Sequence, residues 1–315
     1  MNIKKRHHYI WQNYLKPWTN NNNQICCYFK LNGQYTTPNT TSIGVAKYFY
    51  KSSRLTNDDL KYLESIIVKA SNPYQQKINQ NWLSFIQEYY LFNDKIRASV
   101  SANRTSELRN FEQIADGFEK MLFEELHTLI ESSAQEILAD LRNGKNVEWT
   151  DENTMSFLFF MMNQFMRTRR QKVIGLASID KYKDAVLKIL PNWCPDRTWN
   201  IQAIILATNI GFSIYKDIRN YSFDVFESNS DYPFITGDQP ILNLGNPETE
   251  EEIWMYYPLS PYRCLILQPK NNRKYTNLSS NDVLVLNTKI YNDALEQVYS
   301  HDKIFLKKQL NKLSF

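Results

Sequence analysis

The stretch Ile25-Cys26-Cys27-Tyr28-Phe29-Lys30-Leu31-Asn32-Gly33-Gln34-Tyr35-Thr36-Thr37 reads as two strand-like runs joined through Asn-Gly. Asn-Gly tolerates the positive φ that tight hairpin turns demand, so this stretch predicts a β-hairpin. A lone two-stranded hairpin is marginal in water and must find further strands. They are expected far downstream, beyond Gly211, where the pattern turns strand-like over 222–227, 234–236, 253–257 and 264–268. Turn-forming clusters separate these runs: Asp231-Tyr232-Pro233, Gly237-Asp238-Gln239-Pro240 and Ser260-Pro261.

Between the hairpin and those strands the spacing is helical. Thr56-Asn57-Asp58-Asp59 offers an N-cap and an acidic first turn ahead of Leu60, Leu63, Ile66 and Ile67, which share one helical face. Helix is expected from 72 to about 142, with Trp82, Phe85, Ile86, Tyr89 and Tyr90 in one segment and Ile114, Phe118, Met121, Leu122, Leu126 and Leu129 in another. Asn143-Gly144 ends it, and Thr150-Asp151-Glu152 starts the next helix, which carries the apolar run 157–162 and then the basic run 167–172. Further helices are expected over 179–190 and 198–208, split by Pro191 and Pro195, and a last one runs from Ser280-Asn281-Asp282 to about Tyr299. The predicted fold class is α+β: a central, mainly helical region with a small, mostly antiparallel sheet formed from the N-terminal hairpin and the C-terminal third. One domain over 1–315 is expected, with the N-terminal motif and hairpin in 1–50, the helical region in 55–210, and the sheet and C-terminal helix in 211–315.

Composition narrows the class. In 315 residues, 43% apolar and 14% aromatic with only 8 Gly and 11 Pro, there is material for a sizeable core and no disorder signature. No run approaches the ~20 apolar residues of a membrane helix, and the polar, basic start 1–8 is unlike a secretion signal, so a cytoplasmic protein without membrane partners is expected. The four cysteines, Cys26, Cys27, Cys194 and Cys264, lack CxxC spacing and read as reduced, structural thiols. The net charge of +4 is modest, but positive residues collect at Lys4, Lys5 and Arg6, at Arg167, Arg169, Arg170 and Lys172, and at Lys307, Lys308 and Lys312. If the first two clusters meet in the fold, they form a local anion site.

No Walker loop, GxGxxG, HExxH, GxSxG or kinase signature is present. No cofactor is therefore implied, although a divalent metal on a mixed His and carboxylate set stays open. Three constellations remain. His7-His8-Tyr9 precedes the first strand; in extended chain the two imidazoles face opposite sides, and His8 is expected inward because Ile10 shares its parity. Such an imidazole can serve as general acid or base, with His7 and Gln12 beside it as binding groups; the alternative is a basic tail. Gln164, Arg167 and Arg170 are spaced three apart and form a helical stripe with Thr168, suited to phosphate or carboxylate, or else to an internal ion-pair network. Asp238, at a strand tip before Pro240, can orient His8, bind a metal or pair with Arg167, or be an ordinary turn aspartate.

Together these regions resemble a bacterial family catalogued as domain of unknown function 4238. The resemblance rests on Arg6-His7-His8-Tyr9-Ile10-Trp11-Gln12-Asn13-Tyr14-Leu15, on Gln164-Phe165-Met166-Arg167-Thr168-Arg169-Arg170, and on Ile235-Thr236-Gly237-Asp238-Gln239-Pro240 followed by Tyr257-Pro258-Leu259-Ser260-Pro261. Trp11 stands where the family usually has Pro, and Arg169 where Pro commonly follows Arg-Thr; the second difference suggests a helix that continues. Some members lie in bacterial islands of antiphage defence genes, which implies a defence effector. The expectation is a nuclease acting on RNA, with His8 as general acid or base, Arg167 and Arg170 stabilising phosphate charge and Asp238 orienting the imidazole. The alternative is a non-catalytic sensor or binding protein that captures a nucleotide, a phage component or a partner protein in the same pocket.

Overall fold

The structure is a computed structural model that describes residues 5–313 apart from 71, 104–105, 229–230 and 246–252. In chain order, β1 (Arg6–His8) leads through α1 (Gln12–Leu15) to the hairpin β2 (Cys26–Phe29) and β3 (Gln34–Thr36), and then to β4 (Val45–Lys47). The helical region holds α2 (Asn57–Val68), α3 (Pro73–Asn103), α4 (Ser106–Arg142), α5 (Asp151–Met166), α6 (Arg169–Asp180), α7 (Lys183–Ile189) and α8 (Pro195–Lys216). The remainder is β5 (Tyr221–Glu227), β6 (Thr236–Gly237), β7 (Leu242–Asn243), β8 (Met255–Ser260), β9 (Arg263–Pro269), α9 (Ser280–Asp293), β10 (Gln297–Ser300) and α10 (Lys303–Leu313). The class is α+β.

The hairpin does join strands of the C-terminal third, but its direct partner is β10, in a stretch the sequence pattern assigned to the last helix, and β6 is reached only through β10. The resulting antiparallel sheet is ordered β3-β2-β10-β6, with Phe29 opposite Gln34 across the turn and Gly33 at φ +68°. A second antiparallel sheet, β5-β9-β8-β7, carries the other C-terminal strands, and β1 and β4 form a separate ribbon with His7 opposite Ala46. One apolar cluster runs from Tyr9, Tyr14 and Trp18 through the helices to Tyr257, Leu265 and Tyr299, so the N-terminal segment is wedged between the helical layer and the sheets. The wedge is pinned by polar bonds. Tyr14 Oη donates to the Pro258 carbonyl (2.7 Å) and lies 2.6 Å from Thr236 Oγ1, while Arg142 Nε donates to the Leu259 carbonyl (3.1 Å) and its Nη2 to that of Tyr14 (3.0 Å).

Two boundaries differ from the sequence reading. The helix expected to run through 167–172 breaks: Arg167 is the C-cap of α5, and Thr168, extended at ψ 160°, caps α6 by accepting from the Gln171 N–H. Arg169 is then the first helical residue of α6, the position where proline is favoured because its N–H would be unsatisfied in any case. The family's proline and this chain's arginine thus mark the same break. Trp11 likewise keeps φ at −61°, within the range that proline imposes, so its substitution leaves the local backbone intact. The second difference is at the C-terminus: α9 stops at Asp293 and 297–300 is the strand β10, paired with both β2 and β6. Shorter corrections are the split of 179–190 at Tyr182 and the start of β6 at Thr236 rather than at 234.

Candidate functional site

A cavity of about 530 Å³ opens where the first strand, α1, α4 and the end of α5 meet. The N-terminal segment contributes Lys5, Arg6, His8, Trp11 and Gln12; Arg167 closes the floor. From α4 come Glu124, His127, Thr128 and Glu131, at the i, i+3, i+4, i+7 spacing that puts four side chains on one helical face.

Arg167 is 4% exposed and its guanidinium is divided between partners. Nη2 forms an ion pair with Glu131 and donates to Gln164 Oε1 (2.9 Å), while Gln164 Nε2 reaches the Tyr9 carbonyl (3.0 Å). Its backbone carbonyl accepts from Tyr50 Oη (3.1 Å), and its Nε, fully buried, has no hydrogen-bond partner among the described residues. Burial works against the charged guanidinium, but Glu131 with Tyr50 and Glu124 around it outweighs that, and the group stays protonated. At the mouth, Lys5 and Arg6 are exposed and form no ion pair among the described residues.

The two imidazoles at the start of the chain take the opposite places from those expected. His7 is completely buried, stacked on Tyr50 at 6.0 Å, with its Nδ1 accepting the Tyr50 N–H (3.0 Å). His8 is half-buried and lines the cavity, where Gln12 Nε2 donates to its Nε2 (2.6 Å). Parity with Ile10 misleads because β1 ends at His8: the chain bends, and the N–H groups of Tyr9 and Ile10 both point at the Gly44 carbonyl (2.9 and 3.2 Å). The bend needs Gly44 at φ +56°, since a Cβ there would stand 2.7 Å from that of Ile10.

Desolvation above all, with Arg6 and Arg167 nearby, lowers the His8 pKa to about 4 against a backbone bond to Thr41. His127, 4% exposed and packed on Tyr50 at 4.5 Å, is held well below the ordinary range by burial and by Arg167, with a hydrogen bond from the ring to the Asn163 side chain opposing. Both rings are neutral at pH 7. An NMR titration of the four histidines is expected to show His8 gaining its proton only near pH 4; a midpoint above 6 would contradict the enclosed site.

The cavity thus brings His8, Gln12 and Arg167 together, with Gln164 directly beneath. His7 is too buried to meet a substrate. Arg170, on α6 beyond the break, is paired with Asp293 (2.6 Å) and does not line the cavity. Asp238 is elsewhere: it is 1% exposed, and its carboxylate accepts the N–H groups of Leu295 (2.8 Å), Glu296 (2.7 Å) and Gln297 (3.1 Å), holding the turn before β10. It neither orients His8 nor pairs with Arg167. The late motif does reach the central one, but through Gln239, which bonds the Thr168 hydroxyl and, by Nε2, the Ile241 carbonyl (2.8 Å). The α4 stripe was missed in the sequence; Glu, His, Thr and Glu recurring at 124, 127, 128 and 131 within an otherwise apolar helix face was its signal.

Among the described residues no group of three His, Cys, Asp or Glu side chains is arranged to hold a metal ion, and no helix is long and apolar enough to cross a membrane. No curated protein and no solved structure matches the chain. A family model does match, over residues 6–304, which takes in the strand, the helices and the sheet residues that build and brace the cavity. On that match the chain belongs to the family described as protein of unknown function (DUF4238).

Proposed function

We propose that the cavity at the N-terminal strand is a binding site for a phosphate-bearing ligand, a nucleotide or a nucleotide terminus, in an effector of antiphage defence. The observation that carries this is the pair of exposed cations Lys5 and Arg6, without an ion pair among the described residues, at the mouth of a cavity lined also by the buried Arg167. Unpaired cations beside a concave wall attract phosphate, and guanidinium groups pair with its oxygens. Trp11 supplies an apolar wall for a base, and Glu124 and Glu131 supply acceptors for sugar hydroxyls or amino groups. The volume, about 530 Å³, lies inside the range of roughly 300–1,000 Å³ typical of small-molecule pockets. Calorimetric titration with nucleoside monophosphates is expected to give saturable binding that Arg6→Glu weakens about tenfold or more. Equal affinity in wild type and Arg6→Glu would reject the site.

A second reading, cleavage of RNA, is favoured by one feature: two neutral imidazoles, His8 and His127, in one cavity with Arg167. A neutral imidazole can take a proton from an attacking hydroxyl, and an arginine can hold the charge that develops on phosphate. Against it, a base with a pKa of about 4 has little driving force at pH 7, and among the described residues no carboxylate is bonded to the ring. Incubation of RNA with and without divalent ions decides: products that disappear in His8→Ala support cleavage, and intact RNA with retained nucleotide binding leaves the cavity as a binding site.

A further inference from the structure

A second cleft, of about 600 Å³, lies between α2, α6, α7 and α8, with Met166 at the end of α5 also in its lining. Its walls are mainly aromatic and aliphatic, with Tyr62, Tyr182 and Trp199 providing flat surfaces and Ile174, Ile179 and Leu190 filling between them. Gly175 makes this possible: a Cβ at that position would collide with the indole of Trp199, so the bare backbone of α6 lets the ring lie across it as the cleft floor. The hydroxyls of Tyr62 and Tyr182 stand 3.3 Å apart at the side of α2. The one charged residue in the lining, Lys69, is exposed, and no carboxylate faces the space.

Of the polar side chains in this lining, Gln202 is the deeply buried one. Gln202, 5% exposed, donates from Nε2 to Thr198 Oγ1 (2.7 Å). The Thr198 hydroxyl spends its own proton on the Pro195 carbonyl (3.1 Å), so it can only accept from Gln202, and this fixes which end of the amide faces it. The other end, carbonyl Oε1, accepts no hydrogen bond among the described residues. A largely buried amide in the lining of an aromatic cleft, with one N–H engaged and its carbonyl without a partner among the described residues, suits the role of a specificity group in a ligand pocket.

We propose that this cleft is a second ligand site, which takes an uncharged aromatic small molecule and holds it by one hydrogen bond from the ligand to Gln202 Oε1. Charged ligands are disfavoured because the interior offers no counter-charge. Simple hydrocarbons are disfavoured relative to donors because they leave the Gln202 carbonyl unmet.

A matched pair of probes tests this in the full chain: 2-naphthol, which carries a donor, and 2-methoxynaphthalene, which has a similar ring system without one. Calorimetry is expected to show 2-naphthol binding about five- to tenfold more tightly, with Gln202→Leu removing that preference. Ile189→Asp, at a rim position 79% exposed and therefore harmless to folding, is expected to weaken both probes and so locates them in this cleft. Equal affinity of the two probes, absence of binding, or binding untouched by Ile189→Asp would each overturn the proposal. If Gln202→Leu does not fold, the probe ratio in wild type and the Ile189→Asp result still decide it.

Discussion

Arg167→Met is expected to lower the free energy of unfolding by about 3–5 kcal/mol, the usual cost of removing one partner from a buried ion pair. The methionine refills much of the volume, so packing is not the main loss. What remains is Glu131, only 12% exposed, without its guanidinium and with Glu124 in the same cavity, together with Gln164 Oε1 deprived of its donor. The double variant Arg167→Met/Glu131→Gln is expected to recover part of that loss, because the stranded charge is gone. Urea unfolding of the single and double variants measures both quantities. A loss below about 1 kcal/mol in Arg167→Met would mean that the pair is already well hydrated through the cavity.

Asp238→Ala is expected to cost about 2–4 kcal/mol, since three backbone N–H groups lose their acceptor at once. Nucleotide affinity of the folded variant should be unchanged, because Asp238 does not line the cavity. The pH profile separates this residue from His8. Burial lifts the Asp238 pKa from 3.8 to about 6 although the three N–H groups oppose it. Between those values the folded state holds more proton than the unfolded chain, so this group's contribution falls as pH rises from about 4 to 6. His8 acts in the other direction: its pKa is lowered from 6.5 to about 4, the unfolded chain holds more proton in that window, and its contribution is lost as pH falls through it. The two slopes oppose each other in wild type. Asp238→Ala should therefore lose stability more steeply on acidification between pH 6 and 4 than wild type does.

Much of the architecture is written in local signals. Asn32-Gly33 sets the hairpin, and Thr56 and Thr150 cap α2 and α5, because short-range backbone chemistry decides each of them. What local pattern could not supply is β10. Gln297-Val298-Tyr299-Ser300 follows a helix without a strong breaker and becomes a strand because β2 and β6 offer edges on both sides, a tertiary effect. The α5–α6 break was hidden for a similar reason: Thr168 is neutral in a helix interior but strongly favoured as a cap, and only its bond to Gln239 from a distant turn shows which role it takes.

The site was half legible. Arg167, Gln164, His8 and Gln12 stand out by residue type, and they do converge. Asp238 stood out just as clearly and turned out to brace a turn, since a buried carboxylate and a functional one look alike in sequence. The α4 contribution was invisible from any single residue; it needs the spacing of Glu124, His127, Thr128 and Glu131 to be weighed against the apolar positions around them. His7 and His8 exchanged places because strand parity holds only while the strand lasts, and β1 is three residues long.

If His8 and Arg167 face a bound nucleotide in one cavity, an NMR titration of the imidazole resonances with a nucleoside monophosphate reads it out. Saturable shifts are expected at His8 and His127, which line the cavity, none at His301, which does not, and loss of the response in Arg6→Glu. Resonances of His8 and His127 that stay fixed at millimolar nucleotide would contradict it.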